Sequence, residues 1–384
     1  MRILYYGKAS FGDCDFPLVK ALMDKGHEVI FVVKITPYSL NTTIFELKKQ
    51  YSKSGVFHCS IYPEFEKYKD YIDLSNVYVS NETSGHLGLA QLWHSIKEIV
   101  FIKKTKADVI QYVEDASLFN AILLWFFRKK LVFTIHDGRP HTGDETFVSR
   151  IIRKTYTKYA RKFVLLTRSE GDLFMHGYNV KPDKIRYSHL GYYEMLSVFG
   201  NNSISPSRQI LFFGRITPYK GIDYLLKAML LVHDLCPDVR LIVAGSGQYS
   251  FDISDYQQLE YVEFRNRYIG LDELADLIRG SLITVCPYTE ATQSGVVYSS
   301  LALNTPVVAT NVGGLPGMID NNRTGVIIPP CDIQILANTI VELVTNKDRL
   351  NNMREQIQQS SYEGPRSWGD AADAYIKVYD ELLD

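Results

Sequence analysis

The chain has 384 residues, of which 46% are hydrophobic and 22% charged, a composition that supports buried cores and argues against a disordered or fibrous protein. Its net charge of −1 offers no global attraction to nucleic acid, but the charge is unevenly shared. Residues 1–200 carry 28 Lys and Arg against 21 Asp and Glu, and residues 201–384 carry 14 against 22, which points to two domains facing different partners.

Taken in chain order, the opening MRILYYGKAS has no apolar run of the kind found in a signal peptide. Apolar runs of strand length follow at 3–6, 28–33, 109–112, 131–135 and 162–167, with a helical pattern at 15–25. The stretch 121–127 is apolar and is followed by Arg128, Lys129 and Lys130. It is too short to span a membrane, so burial against a sheet is expected over a place on a membrane surface. The polar stretch VFGNNSISPS at 198–207 reads as an interdomain linker. Strand-like runs then recur at 210–213, 240–244, 261–264, 282–286, 307–310 and 325–328, alternating with helical patterns at 223–236, 271–280 and 333–345. A final amphipathic helix is expected at 368–383. Alternation of this kind predicts parallel sheets with helices on both faces. The series runs twice, giving an α/β protein of two doubly wound, Rossmann-like domains: 1–197, and 208–367 after the linker, with 368–384 packing back on the first. Ligands are expected beyond the carboxyl ends of the strands, in a cleft between the domains.

Five scattered cysteines (Cys14, Cys59, Cys236, Cys286 and Cys331) form no metal-binding spacing and fit a reducing compartment. Asp13-Cys14-Asp15 stands where a helix begins and is expected to cap it rather than hold a metal. No Gly-x-Ser-x-Gly elbow or His-Glu-x-x-His pattern is present.

Three stretches carry chemistry. In Phe-Phe-Gly-Arg-Ile-Thr-Pro-Tyr-Lys-Gly-Ile-Asp (212–223), Arg215 and Lys220 flank a turn after Gly214, and a helix opens at Gly221. Two cations beside a helix N-terminus suit a diphosphate. In Pro-Tyr-Thr-Glu-Ala-Thr-Gln-Ser-Gly-Val-Val (287–297), small residues let the backbone approach a ligand. Here Glu290 and Gln293 can bond sugar hydroxyls, and a helix starting near Gly295 points its positive end at the site. Thr292 or Ser294 would serve equally well as a simple N-cap. The third stretch, Asn-Thr-Pro-Val-Val-Ala-Thr-Asn-Val-Gly-Gly-Leu-Pro (304–316), places a double-glycine turn after a strand.

In this order, with Gly245-Ser-Gly247 between the first two, these stretches resemble the retaining glycosyltransferases of family 4, which have the GT-B fold. The resemblance covers nearly all of 208–384, and the Ala-Thr-Gln-Ser-Gly wording looks like a subgroup of its own. It implies that Arg215 and Lys220 bind the diphosphate of a nucleotide-sugar donor. Glu290 to Val297, including Ser294, Gly295 and Val296, would hold the sugar and phosphate, and Arg267, Tyr268 and Ile269 would lie by the base. The family's ribose-binding glutamate falls at Ser299, a departure that bears on donor identity. In the first half, Gly7 and Gly12 bound a loop after the first strand that should face the cleft. His136 follows a strand where the family places a histidine near the donor sugar, and His141, Arg168 and His189 are weaker candidates.

The reading is thus a retaining, metal-independent glycosyltransferase without a cofactor, using a glycan or lipid-linked acceptor in surface polysaccharide or glycolipid synthesis. Its expected location is cytoplasmic, with its basic first half touching an anionic membrane face. A sugar-nucleotide epimerase of the same fold, or a binding protein that has lost catalysis, are the alternatives.

Overall fold

The computed structural model describes residues 1–37, 39, 47, 49–83, 88–113, 117–136, 147–166, 168, 171–291, 294–362, 364 and 366–383. The chain forms two compact units, Met1–Gly191 with Gly364–Asp384, and Tyr192–Glu363.

The first unit holds strands β1 (Arg2–Lys8), β2 (Glu28–Ile35), β3 (Gly55–His58), β4 (Val77–Asn81), β5 (Val109–Val113), β6 (Leu131–Ile135), β7 (Lys162–Leu165) and β8 (Ile185–Tyr187). They lie in the order β3-β4-β2-β1-β5-β6-β7-β8, all parallel except β3 against β4. Strands covered on both faces need successive rather than alternating apolar residues, which is why 3–6 and 29–33 are continuous apolar runs. The connecting helices are α1 (Gly12–Asp24), α2 (Leu89–Thr105), α3 (Leu118–Leu123), α4 (Phe147–Tyr159) and α5 (Gly171–Tyr178). The last helix of the chain, Trp368–Leu383, completes this unit. It packs on α1, its Tyr375 hydroxyl meets Thr134 Oγ1 at 2.8 Å, and its Tyr379 hydroxyl donates to Gln111 Oε1 at 3.2 Å. Glu381 near its end accepts from both Arg186 and Lys162.

Helix α2 reverses the usual amphipathic order. Gln91, His94, Ser95 and Glu98 are buried, while Leu89, Trp93 and Val100 are exposed. Glu98 accepts from the Tyr6 hydroxyl, Ser80 Oγ and Asn120 Nδ2, and lies 3.3 Å from His94 Nε2. Burial pushes the Glu98 carboxyl up to about 8, only partly opposed by Asn120. Burial also pushes His94 down to about 3, with Lys34 and Lys97 adding to it. Both groups are therefore neutral at pH 7, and their contact is a hydrogen bond between neutral partners rather than an ion pair. The run 121–127 corrects the expectation of burial: Ala121 and Leu124 face inward, but Ile122, Trp125 and Phe126 are exposed.

The second unit is a six-stranded, fully parallel sheet in the order β11-β10-β9-β12-β13-β14. Its strands are β9 (Gln209–Phe213), β10 (Arg240–Gly245), β11 (Val262–Asn266), β12 (Ile283–Cys286), β13 (Val307–Thr310) and β14 (Gly325–Ile328). Its helices are α6 (Ile222–Leu235), α7 (Ser254–Gln257), α8 (Leu271–Arg279), α9 (Gly295–Ala302), α10 (Leu315–Met318), α11 (Ile333–Thr345) and α12 (Lys347–Tyr362). The segment 198–207 is not a free linker but part of this unit. The amides of Gly200 and Asn201 donate to Asp272 and Asp276 of α8 at 3.0 and 2.6 Å, and Arg279 reaches the carbonyl of Phe199 at 2.6 Å.

Candidate functional site

Because the second sheet is parallel throughout, the loops after β9, β10, β12 and β13 leave its same edge. They cross so closely that side chains are excluded. Gly245 has φ +143°, and a Cβ there would lie 1.8 Å from the Gly214 carbonyl oxygen. Gly313, at φ +51°, abuts the carbonyl of Ala291 in the same manner. Only glycine accepts both the dihedral and the contact.

Lys220 closes a single 3-10 turn, Pro218–Lys220, and is only 8% exposed. Its ammonium lies 3.6 Å from the centroid of the Tyr288 ring, a cation–π contact that partly replaces lost hydration. Burial lowers its pKa to about 8, with Cys286 opposing and the Arg215 charge adding to the depression. Cys286 is itself pushed up to about 12 by burial, so it remains a thiol. The Tyr288 hydroxyl meets Ser294 Oγ at 3.2 Å, and Ser294 is the buried N-cap residue of α9. Lys220, Tyr288, Ser294 and the start of α9 are thus one contiguous array. It is held from behind by Thr289 N donating to the Tyr219 carbonyl at 2.8 Å and Thr310 Oγ1 donating to the Tyr288 carbonyl at 2.5 Å.

Arg215 follows Gly214, is exposed, and has no hydrogen bond or ion pair among the described residues. Val296 lies against Gly214, at 3.4 Å from where a Cβ would stand, and Gly295 lies against the Tyr193 ring. The structure therefore brings Gly214, Arg215, Lys220, Ser294, Gly295 and Val296 together around the start of α9. A buried cation, an unpaired cation and a helix N-terminus form an anion-binding arrangement. Ser299 is buried further along α9, and Glu290 is exposed on the turn after β12. Gln293 and Thr292 lie outside the described residues.

The amide of Arg267 donates to the Gly245 carbonyl at 3.1 Å, which ties the loop after β11 to the same edge. Its guanidinium, however, is taken up by Glu273 at 2.6 and 2.7 Å, leaving exposed Tyr268 and half-buried Ile269 as the neighbouring surface.

In the first unit, His136 follows β6 and stacks on Phe11, with ring centroids 3.9 Å apart and planes at 8°. Burial pushes its pKa down to about 4, so it is a neutral imidazole. Phe11 directly precedes Gly12, the first residue of α1. Gly7 is part of β1, paired with Val33, rather than part of a loop. A Cβ at Gly7 would strike Asp15 Oδ2 at 2.2 Å. Asp15 does not cap α1 as expected. It accepts from the Tyr5 hydroxyl at 2.8 Å and the Lys8 amide at 3.2 Å, and burial pushes it up to about 8. Its neighbour Asp13, also raised by burial, to about 6, joins Phe11 and Gly12 at this end of β1. The sequence marked these aspartates only as a capping pair, because burial of a carboxylate leaves no trace in residue spacing. Tyr288 was also passed over as a binding group, although it stands second in the loop motif. His141 lies outside the described residues. Arg168 stacks over Tyr187 at 5.0 Å, and His189 Nε2 contacts the Ser367 carbonyl at 3.2 Å.

Two parallel α/β sheets with these loops define a GT-B protein. Residues 207–346 match the family of glycosyl transferases group 1. The chain is 25% identical over 259 residues to a D-inositol 3-phosphate glycosyltransferase of Corynebacterium glutamicum, covering 62% of each chain. Against the D-inositol 3-phosphate glycosyltransferases of Mycobacteroides abscessus and Catenulispora acidiphila, at 26% and 27% identity, it spans 52% and 58% of their length. Among solved structures it resembles Anabaena HepE in complex with UDP, with TM-score 0.58, 16% identity and 100% of both chains covered. It also resembles a Listeria monocytogenes protein described as a UDP-N-acetylglucosamine 2-epimerase, with TM-score 0.60, 13% identity, and 100% and 96% of the two chains covered.

Proposed function

We propose that the chain is a retaining, metal-independent glycosyltransferase that moves a sugar from a nucleoside-diphosphate sugar to a glycan or lipid-linked acceptor, in the assembly of surface polysaccharide or glycolipid. The observation that carries the reading is the meeting of Lys220, Arg215 and the N-terminus of α9. Transfer breaks the bond between the anomeric carbon and the diphosphate oxygen. The diphosphate leaves with the electron pair, while the acceptor hydroxyl forms the new bond and gives up its proton to the departing diphosphate oxygen. Charge grows on the diphosphate as the bond breaks, and fixed cations and a helix dipole at that point stabilise it without needing to reorganise. His136 is neutral and so can both donate and accept hydrogen bonds, a property suited to holding sugar hydroxyls. Glu290 and Gln293 would contact the same sugar, and Tyr268 and Ile269 the base. Anabaena HepE, solved with UDP, makes that nucleotide the first to test.

Calorimetry with several nucleoside diphosphates tests the site. Binding of one of them is expected, weakened about tenfold or more by Arg215→Ala or Lys220→Ala, since a hydrogen bond to a charged group contributes about 1.5–3 kcal/mol. No binding by any nucleotide, or full binding by both variants, refutes the assignment. Ser299, standing where a carboxylate would hold the ribose, is the specific reason to keep a second reading, a binding protein without turnover. Slow hydrolysis of a bound nucleotide-sugar separates the two, because only the transferase shows it. Interconversion of the donor sugar without any acceptor would instead mark an epimerase.

A further inference from the structure

Three consecutive helical segments of the first unit expose apolar side chains on their solvent side. On α2, Leu89, Trp93 and Val100 stand at i, i+4 and i+11, within about 40° of one another around a helix of 3.6 residues per turn. On α3 and the 3-10 turn that follows it (Leu124–Lys130), Ile122, Trp125 and Phe126 stand at i, i+3 and i+4. On α4, Phe147 and Ile151 stand at i and i+4. Trp93, Phe126 and Phe147 are 61%, 68% and 77% exposed. The segments are neighbours, since α2 packs on α3, and α3 and its following turn pack on α4.

Cations accompany the apolar residues. Lys103 and Lys104 end α2, Arg128 to Lys130 end the second segment, and Lys154 and Lys158 continue the α4 stripe at i+7 and i+11. Across 89–105, 118–130 and 147–159 there are ten Lys and Arg and one acidic residue, Glu98, which is buried and neutral. Arg128 stacks on Trp125 at 3.9 Å, carrying positive charge onto an exposed aromatic face.

We propose that this face docks on an anionic lipid bilayer, with Trp93, Trp125, Phe126 and Phe147 entering the headgroup region and the lysines held to acidic headgroups. The combination of exposed aromatics and long cationic side chains is what the membrane interface selects. No helix among the described residues is long and apolar enough to cross a membrane, so the contact is peripheral. A second copy of the chain fits poorly, because a twofold interface sets each patch against itself and would oppose cations to cations with no acid between them. Protein interfaces are also depleted in lysine, which is abundant here. The inference does not depend on the transferase reading, since it uses no residue of the second unit.

Sedimentation of the full chain with vesicles provides the test. One set contains phosphatidylglycerol and phosphatidylcholine in equal amounts, the other phosphatidylcholine alone. The chain is expected to bind only the anionic set, to shift its tryptophan emission to the blue on binding, and to dissociate at high salt. The variant Lys104→Ala/Lys129→Ala/Lys154→Ala should bind more weakly by on the order of a hundredfold. Trp125→Ala/Phe126→Ala should retain salt-sensitive attraction, with the emission shift cut to what Trp93 contributes. All five side chains are exposed, and an unchanged thermal melt verifies folding of both variants. Equal binding to both vesicle types, no binding to either, or triple-variant binding equal to the parent overturns the proposal. So does a parent that is dimeric in solution and becomes monomeric on Trp125→Ala/Phe126→Ala.

Discussion

Raising the pH through the titration of Lys220 should loosen the hold on a nucleoside diphosphate. The folded-state pKa of about 8, against the ordinary 10.5, reflects about 3 kcal/mol of disfavour for the charged form. Solvent screening at a partly open site reduces this to about 2. A bound diphosphate favours the ammonium and lifts the pKa back toward its ordinary value. Below pH 8 the lysine is already charged and affinity is level. Above pH 8 each binding event must take up a proton, so affinity falls by up to about tenfold per pH unit until the bound-state pKa is reached. Calorimetry of UDP from about pH 7 to about pH 9.5, in paired buffers of different ionisation enthalpy, reads both the slope and the proton uptake. The stability effect has its own sign. The folded pKa lies below the unfolded one, so the penalty on the empty protein is full below pH 8 and is relieved as pH rises toward 10.5. Lys220→Met should therefore melt higher than the parent at pH 7 while binding UDP far more weakly. A flat affinity across this pH range, or the same slope in Lys220→Met, would refute the assignment of Lys220 to the phosphate.

Arg215→Ala removes one cause of the Lys220 depression, so the pH at which affinity begins to fall should move upward even as affinity itself drops. Gly245→Ala should cost about 3 kcal/mol or more in a thermal melt, since its Cβ would meet backbone at 1.8 Å at φ +143°, whereas Gly317→Ala, with open space around it, should be nearly silent. Glu98 has a folded pKa of about 8, above its unfolded 4.5, so its contribution to stability is complete below pH 4.5 and is lost as pH rises to 8. Urea midpoints at about pH 5 and pH 8 should accordingly differ in Glu98→Gln from the parent by the loss of this one contribution, while buried Asp13 and Asp15 act in the same direction and His94 and His136 in the opposite one in both proteins. His136→Ala should lower turnover about tenfold to a hundredfold with UDP affinity unchanged; a loss of UDP affinity instead would place His136 on the nucleotide.

The strands of the second unit were legible because all but the edge strand β11, Val-Glu-Phe-Arg-Asn, are short, mainly apolar runs closed by Gly, Pro or Asn. Arg215 and Lys220, the cations proposed for the diphosphate, stood out by their Gly-Arg and Lys-Gly spacing. Helix α2 was not, because its buried side is polar and its exposed side apolar, which defeats any reading that assigns apolar residues to the core. The edge strand β3 and its neighbour β4 were also missed: Val-Tyr-Val-Ser-Asn is too mixed to stand out as a strand of a parallel sheet. The segment 198–207 looked like a linker because what fixes it is bonding between its backbone and the carboxylates of α8, more than seventy positions away. Within the site, the depressed lysine and the buried Asp15 depend on partners assembled from separate loops, which residue order alone does not display.

The return of Trp368–Leu383 to the first unit has a consequence for how the chain is made. Gln111 and Thr134 emerge early in synthesis, yet Tyr379 and Tyr375, which meet them, follow 268 and 241 positions later. The half translated first is therefore finished last, and one side of its sheet must wait, uncovered, while the other half is built and folds. During that interval the nascent chain presents Gln111, Thr134 and α1 without their cover, a natural point for chaperone engagement. Loss of Trp368–Leu383 would injure the first unit more than the second.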